Sequence, residues 1–224
     1  MSLLGIDIGT TGCKSGIFSE TGDMLALDYQ EYDHYHRKPD WAELNSTEVW
    51  NKVKQSIKTV MLTSGISPIK GLAVASMGEA LVPVSKNRVI LGPSILIYDQ
   101  RGKDYVQQLE QSLPNEALYP KTGNTFGFFF SVVKLMWIKK YQPELYDKTD
   151  YFLPWTSFIS FMLGADPVVD YSLANRTLLF NINTKNWSRE LLAISGLDRE
   201  KLPELAQAGT VIGEVSEAIA RELH

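Results

Sequence analysis

The stretch LLGIDIGTTGCKSGIF, residues 3–18, holds two short apolar runs split by Gly9-Thr10-Thr11-Gly12, with a single acid, Asp7, just ahead of the turn. An acid at the end of a buried strand costs free energy unless something pairs with it. A turn this rich in Gly and Thr offers backbone N–H groups and hydroxyls, the makings of an anion-binding nest. A cation and an anion at one spot would satisfy both, and Mg²⁺ with phosphate fits. The interval between the runs is too short for a crossover, so residues 3–8 and 13–19 predict an antiparallel hairpin. Glu20-Thr21-Gly22-Asp23 predicts a turn, and Met24 to about Glu31 a third strand that continues the meander.

Working outward, residues 33–45 read as a polar and aromatic loop containing Pro39-Asp40-Trp41. Ser46 is expected to cap a helix whose buried face is Val49, Val53, Ile57, Val60 and Met61, with Gly65 ending it. Residues 69–75, 80–84 and 94–98 predict strands, and 102–112 and 131–140 predict helices. Tyr151 to Leu163 is expected to be an apolar helix closed by Gly164. Residues 188–195 and 214–223 predict short helices, with Leu202-Pro203 breaking the path between them. Three strands, a helix, then a strand is the opening of an α/β domain of the ribonuclease-H-like (actin-like ATPase) type. Such a domain has a mixed sheet that starts with an antiparallel hairpin and is flanked by helices.

The chain has 224 residues, 44% of them apolar, enough to bury a sizeable core. Its net charge of −4, with no long basic run, argues against nucleic acid or an anionic membrane surface as partner. Cys13 is the sole cysteine, so no internal disulfide can form and a reducing, cytoplasmic setting is expected. No apolar run reaches the ~18–20 residues of a membrane span. Met1-Ser2 leads straight into strand-like sequence, without the basic start of a signal peptide.

Phosphoryl transfer needs a divalent metal, held by one or two carboxylates and several waters. Asp7 is the candidate for organising Mg²⁺ through water. Gly9, Thr10 and Thr11 are candidates for holding phosphate oxygens, with Lys14 as a nearby point charge. This is not the Gly-x-x-x-x-Gly-Lys-Ser/Thr loop of other nucleotide enzymes. Ser76-Met77-Gly78-Glu79 follows a strand, where ligands of open α/β sheets collect; Glu79 could accept hydrogen bonds from a ligand's hydroxyls or be a solvated loop acid. Asp99 and Arg101 could hold substrate oxygens or pair with each other. Trp41 could contact a ligand or cap the core. Lys134 and Trp137 share one helix face and read best as packing. Asp170, Asn175, Arg176 and Thr177 read as braces without chemistry, His34 and His36 as a solvated loop, and Cys13 as a small buried hydrophobe.

In order along the chain, GIDIGTTGCKSGIFSETGDML, PDWAELNSTEVW, GLAVASMGEALVPVSKN, ILIYDQRG, TGN with FFSVVKLMWIKK, and DYSLANRTLLFNINTKNWS resemble the N-terminal half of the FGGY family of carbohydrate kinases. The resemblance implies ATP-dependent phosphorylation of a hydroxyl on a small sugar or polyol, with ATP and Mg²⁺ as cofactors. It implies that residues 1–224 form the N-terminal, sugar-binding domain. The general base and the adenine site would then lie in a C-terminal domain of the same polypeptide, outside this chain, and the chain alone would be inactive. By resemblance to the glycerol kinases of the family, Glu79 falls on the acid that binds polyol hydroxyls. Gly78 falls where they carry an arginine and Phe129 where they carry a tyrosine, and both departures argue against glycerol itself. Family members are often dimers or tetramers, so a homodimer is an open expectation. A non-catalytic ATP-switched module, or a sugar sensor of the same fold, is the alternative.

Overall fold

The computed structural model describes residues 2–223. Its centre is a four-stranded sheet in the order β3-β2-β1-β5. The strands β1 (Ser2–Ile8), β2 (Gly12–Ser19) and β3 (Met24–Glu31) form the expected antiparallel meander. After β4 (Glu43–Leu44) and helix α1 (Ser46–Ser64), β5 (Ile69–Ser76) returns parallel to β1. Leu4, Ile6 and Ile8 alternate inward along β1, while Leu3 and Asp7 point the other way, the period of two that a half-buried strand requires. Against the inner face lie Val49, Val53, Ile57 and Val60 of α1.

The opposite face carries Leu3, Leu25, Leu27 and Tyr29, all exposed, beside Gly5, Gly16, Gly71 and Ala73. Two rings lie flat over its glycines. A Cβ at Gly12 would come within 2.5 Å of the Tyr29 ring, and one at Gly16 within 2.9 Å of the Phe18 ring. Neither position could hold a larger residue without displacing the ring above it.

The chain continues through β6 (Leu81–Val84), β7 (Ser94–Ile95), α2 (Asp104–Ser112), α3 (Asn115–Thr122), α4 (Ser131–Tyr141) and α5 (Pro143–Lys148). It then runs through β8 (Tyr151–Pro154), α6 (Trp155–Leu163), β9 (Val168–Asp170), α7 (Tyr171–Asn175), β10 (Phe180–Asn181) and β11 (Asn186–Trp187). Helix α8 (Arg189–Ser195), a 3-10 turn at Arg199–Lys201, β12 (Glu204–Ala206) and α9 (Glu217–Leu223) complete it. Helix α6 packs into the sheet core, where Phe158 meets Trp50 of α1 edge-on at 6.5 Å. A second cluster gathers residues from α2 to α5 and α8, among them Leu109, Phe130, Leu135, Tyr146 and Leu191. No helix among the described residues is long and apolar enough to cross a membrane.

Three local expectations need correction. The α1 cap is Asn45, not Ser46: its side-chain oxygen accepts from the N–H groups of Thr47 and Glu48. Tyr151–Pro154 is a strand paired antiparallel with β6, so the apolar run from 151 splits into strand and helix at Pro154. Residues 96–98 continue past β7 without being strand, and α3 and α5 were not foreseen. Cys13 is buried in the core as expected, and burial pushes its thiol up to about 11.

Asn45→Ala should lower stability by about 1 kcal/mol, the usual value of a helix cap. The Ser46 hydroxyl is buried without a hydrogen-bond partner, so Ser46→Ala should be neutral or stabilising. Urea unfolding of the two variants checks the assignment, and the reverse order would overturn it.

Candidate active site

The carboxyl ends of the parallel pair β1 and β5 lie side by side, Asp7 opposite Ala75 and Ile8 opposite Ser76, and the Met77 N–H donates to the Ile8 carbonyl at 2.8 Å. This register sets the Gly9–Thr11 turn next to the loop carrying Gly78 and Glu79. The turn is pinned through its carbonyls. Tyr32 donates its hydroxyl to the Gly9 carbonyl at 2.6 Å, and its N–H to that of Thr11 at 3.3 Å. His34 Nε2 donates to the Thr10 carbonyl at 2.5 Å. Among the described residues, no hydrogen bond uses the N–H or the hydroxyl of Thr10 or Thr11. These are donors ready for an anion. A Cβ at Gly9 would stand 3.1 Å from the Gly12 carbonyl, so a side chain there would crowd the turn.

Asp7 is exposed on the outer face of the sheet, which corrects the expectation of a buried acid. Lys14 stands directly across from it on β2, its ammonium 5.8 Å from the Tyr29 ring. Among the described residues, no three His, Cys, Asp or Glu side chains converge to cage a metal. One open carboxylate beside free donors suits a cation that keeps most of its waters, as Mg²⁺ does.

Beside the strand edge sits a buried charge cluster. The Arg101 guanidinium donates from Nε and Nη2 to Asp99 and from Nη1 to Glu43 at 2.7 Å. Asp99 is fully buried and also accepts from the N–H groups of Ala42 and Arg101. With its oxygens so engaged, Asp99 has no capacity left for substrate, and it acts as a brace between residues 42–43 and 99–101. Trp41 stacks on Arg101 at 4.0 Å and meets Trp137 edge-on at 5.2 Å, so both indoles cover the guanidinium. From the same segment the Tyr98 hydroxyl shares a hydrogen bond with His34 Nδ1 at 2.7 Å, so His34 bridges that segment to the phosphate-type turn. His34 is therefore not the solvated side chain its loop suggests.

Lys134 is buried and donates to the carbonyls of Leu96 at 2.7 Å and Phe129 at 3.1 Å. Burial lowers its amine to about 7, against the opposing pull of Asp99 and then Glu79. The Phe129 ring lies 4.4 Å from that of Phe130.

Glu79 is buried and adopts a left-handed backbone (φ 56°), a conformation that costs an L-residue about 1 kcal/mol or more. It is held by the Ser131 hydroxyl on its carbonyl at 2.5 Å and by Arg176, which engages Oε1 through Nε and Nη2. Arg176 braces, as its sequence reading has it, but the partner it braces was missed. It lies 97 positions from Glu79, and no local spacing links the two.

An antiparallel meander joined to a parallel strand, with an acid–glycine–threonine turn at the shared edge, is the arrangement of the actin-like ATPase fold. Within that class the chain belongs to the FGGY family of carbohydrate kinases, whose N-terminal domain matches residues 2–223. It is 29% identical to the glycerol kinase of Pediococcus pentosaceus over 96% of its length, and 31% identical to the putative sugar kinase YoaC of Bacillus subtilis over 97%. It spans 44% of the length of each of those relatives. Among solved structures, a ligand-bound xylulose kinase from Lactobacillus acidophilus matches 99% of the chain at 26% identity and TM-score 0.89, the chain spanning 45% of that protein. The Plasmodium falciparum glycerol kinase with ADP shares the fold at 23% identity and TM-score 0.92, over 99% of this chain and 45% of its own.

The lowered Lys134 amine implies a pH signature. Above about pH 7 the unfolded chain binds the lysine proton while the folded chain loses it, so stability should rise with pH from about 7 to 9. Above 9 the raised Cys13 thiol acts in the opposite sense. Lys134→Met should flatten the rise in urea midpoints across that window; an unchanged slope would contradict the burial argument.

Proposed function

We propose that the polypeptide transfers the γ-phosphoryl group of ATP to a hydroxyl of a small sugar or polyol. The observation that carries this reading is the Ile8–Met77 contact, which sets free N–H and hydroxyl donors beside a buried carboxylate at one strand edge. Thr10 and Thr11 hold phosphate oxygens through those donors, Gly9 lets the backbone approach, and Lys14 adds positive charge on the same face as Asp7. Asp7 holds Mg²⁺ through water. Mg²⁺ bound there supplies neutralisation of charge on the phosphates. Glu79 orients the sugar hydroxyls, and Phe129 and Gly78 shape the wall beside it. Asp99, Arg101 and Trp41 position that wall from behind.

The relatives' greater length supports a second, C-terminal domain that supplies the general base and the adenine site. Closure of the two domains excludes water from the transfer. The protein works in the cytoplasm on a small-molecule substrate, without nucleic acid or membrane as partner, and a homodimer is compatible with this reading.

The test is ADP release by the full-length polypeptide with ATP, Mg²⁺ and a panel of ketoses, aldonates and polyols. At least one should be phosphorylated, and Asp7→Asn should lower turnover about a hundredfold or more. No ATP consumption with any acceptor, or undiminished turnover in the variant, would sink the proposal.

A further inference from the structure

We infer that Arg176 is a substrate-contacting, specificity-determining residue, which with Glu79 grips two adjacent hydroxyls of a neutral sugar or polyol and disfavours sugar acids. This rests on the kinase reading only for the ligand's being a sugar or polyol.

The placement of Arg176 is built in from three sides. Its backbone closes α7, whose first turn is capped by the Asp170 carboxylate accepting from the N–H groups of Ser172 and Leu173. The next residue, Thr177, accepts through its carbonyl from the Val132 N–H at 3.0 Å, which locks this turn to the start of α4. The guanidinium lies 5.2 Å over the Phe130 ring. Its stem occupies the space above Gly78, where a Cβ would stand 3.2 Å from Arg176 Cγ and 3.4 Å from its Cβ. A side chain at 78 would therefore crowd the stem of Arg176, which would have to yield by a few tenths of an ångström.

Both Arg176 donors that reach Glu79 go to Oε1. Among the described residues nothing hydrogen-bonds Glu79 Oε2 or Arg176 Nη1. The Arg176 side chain is 38% exposed and that of Glu79 only 5%, so the pair presents one buried acceptor and one accessible donor to whatever enters. A hydroxyl both donates and accepts. One hydroxyl of a vicinal diol can donate to Oε2 while its neighbour accepts from Nη1. A carboxylate cannot donate to Oε2, and Glu79 already neutralises the guanidinium. A sugar acid would bring a second anion against a buried carboxylate, an uncompensated repulsion.

The experiment uses the full-length polypeptide with two readouts. Binding of glycerol, xylitol, xylulose and gluconate is followed by tryptophan emission without ATP, and KM and kcat are measured with ATP. The variants are Arg176→Gln, Arg176→Lys, and Gly78→Arg combined with Arg176→Ala, which moves the guanidinium to the other side of Glu79. Unfolding midpoints confirm that each is folded; should Arg176→Gln fail, the other two carry the test.

The wild type should bind at least one neutral diol and prefer it to gluconate. Arg176→Gln should weaken its best neutral ligand about tenfold to a hundredfold, the range for a charged hydrogen bond, with kcat and the KM for ATP little changed. Arg176→Lys should recover part of the loss, and the relocated arginine more of it. Gluconate preferred by the wild type, or neutral-ligand affinity within about twofold in Arg176→Gln, would overturn the inference. Arg176-dependent diol binding without any phosphoryl transfer would support it and overturn the kinase reading. A working kinase indifferent to Arg176 would do the reverse.

Discussion

The ion cluster of Glu43, Arg101 and Asp99 is the constraint on which the site's architecture depends. Three charges have left water together, and each is tolerable only because the others are there. Removing Arg101 would strip the shared partner from both buried carboxylates, at a cost of about 3–5 kcal/mol. The geometry is correspondingly strict. Two N–H groups of the backbone, those of Ala42 and Arg101, complete the shell of Asp99 and so fix the loop before β4 against the turn after β7. From there order spreads outward. Tyr98 and His34 carry it to the Thr10 carbonyl, and Lys134 carries it through Leu96 to Phe129.

The site thus has two kinds of polar group. Asp99, Arg101 and the carbonyls of Gly9 and Thr10 are spent on the protein itself and hold positions. Among the described residues, the hydroxyls of Thr10 and Thr11, one oxygen of Glu79 and one nitrogen of Arg176 remain without a hydrogen bond. The left-handed backbone at Glu79 belongs to this second group. A strained residue persists where its surroundings over-determine it, and here Ser131 holds the carbonyl of Glu79 while Arg176 holds its carboxylate.

Much of the frame was legible in the residues. The hairpin followed from two apolar runs and a short polar interval, and α1 from apolar residues three and four apart. The split of residues 151–163 was not legible, because a continuous apolar run suits a buried strand as well as a buried helix. Asn45 and Ser46 are adjacent capping residues, and only backbone geometry chooses between them. For the site, the turn after β1 and the loop after β5 could be found because each follows its own strand. The Asp99–Arg101 pair was one of two readings its spacing left open, while the places of Trp41 and His34 are set by partners dozens of residues away. Arg176 is the clearest case: its pairing with Glu79 joins positions 97 apart, and its stem lies over Gly78.

The indoles that enclose Arg101 have a spectroscopic consequence. Trp41 and Trp137 are two of the chain's five tryptophans, and a guanidinium lies against the first at 4.0 Å and the second at 5.1 Å. A cation at that range perturbs the excited state of an indole. A movement of the brace is therefore expected to change the emitted light, which would make these two indoles an optical gauge of how tightly that wall is held.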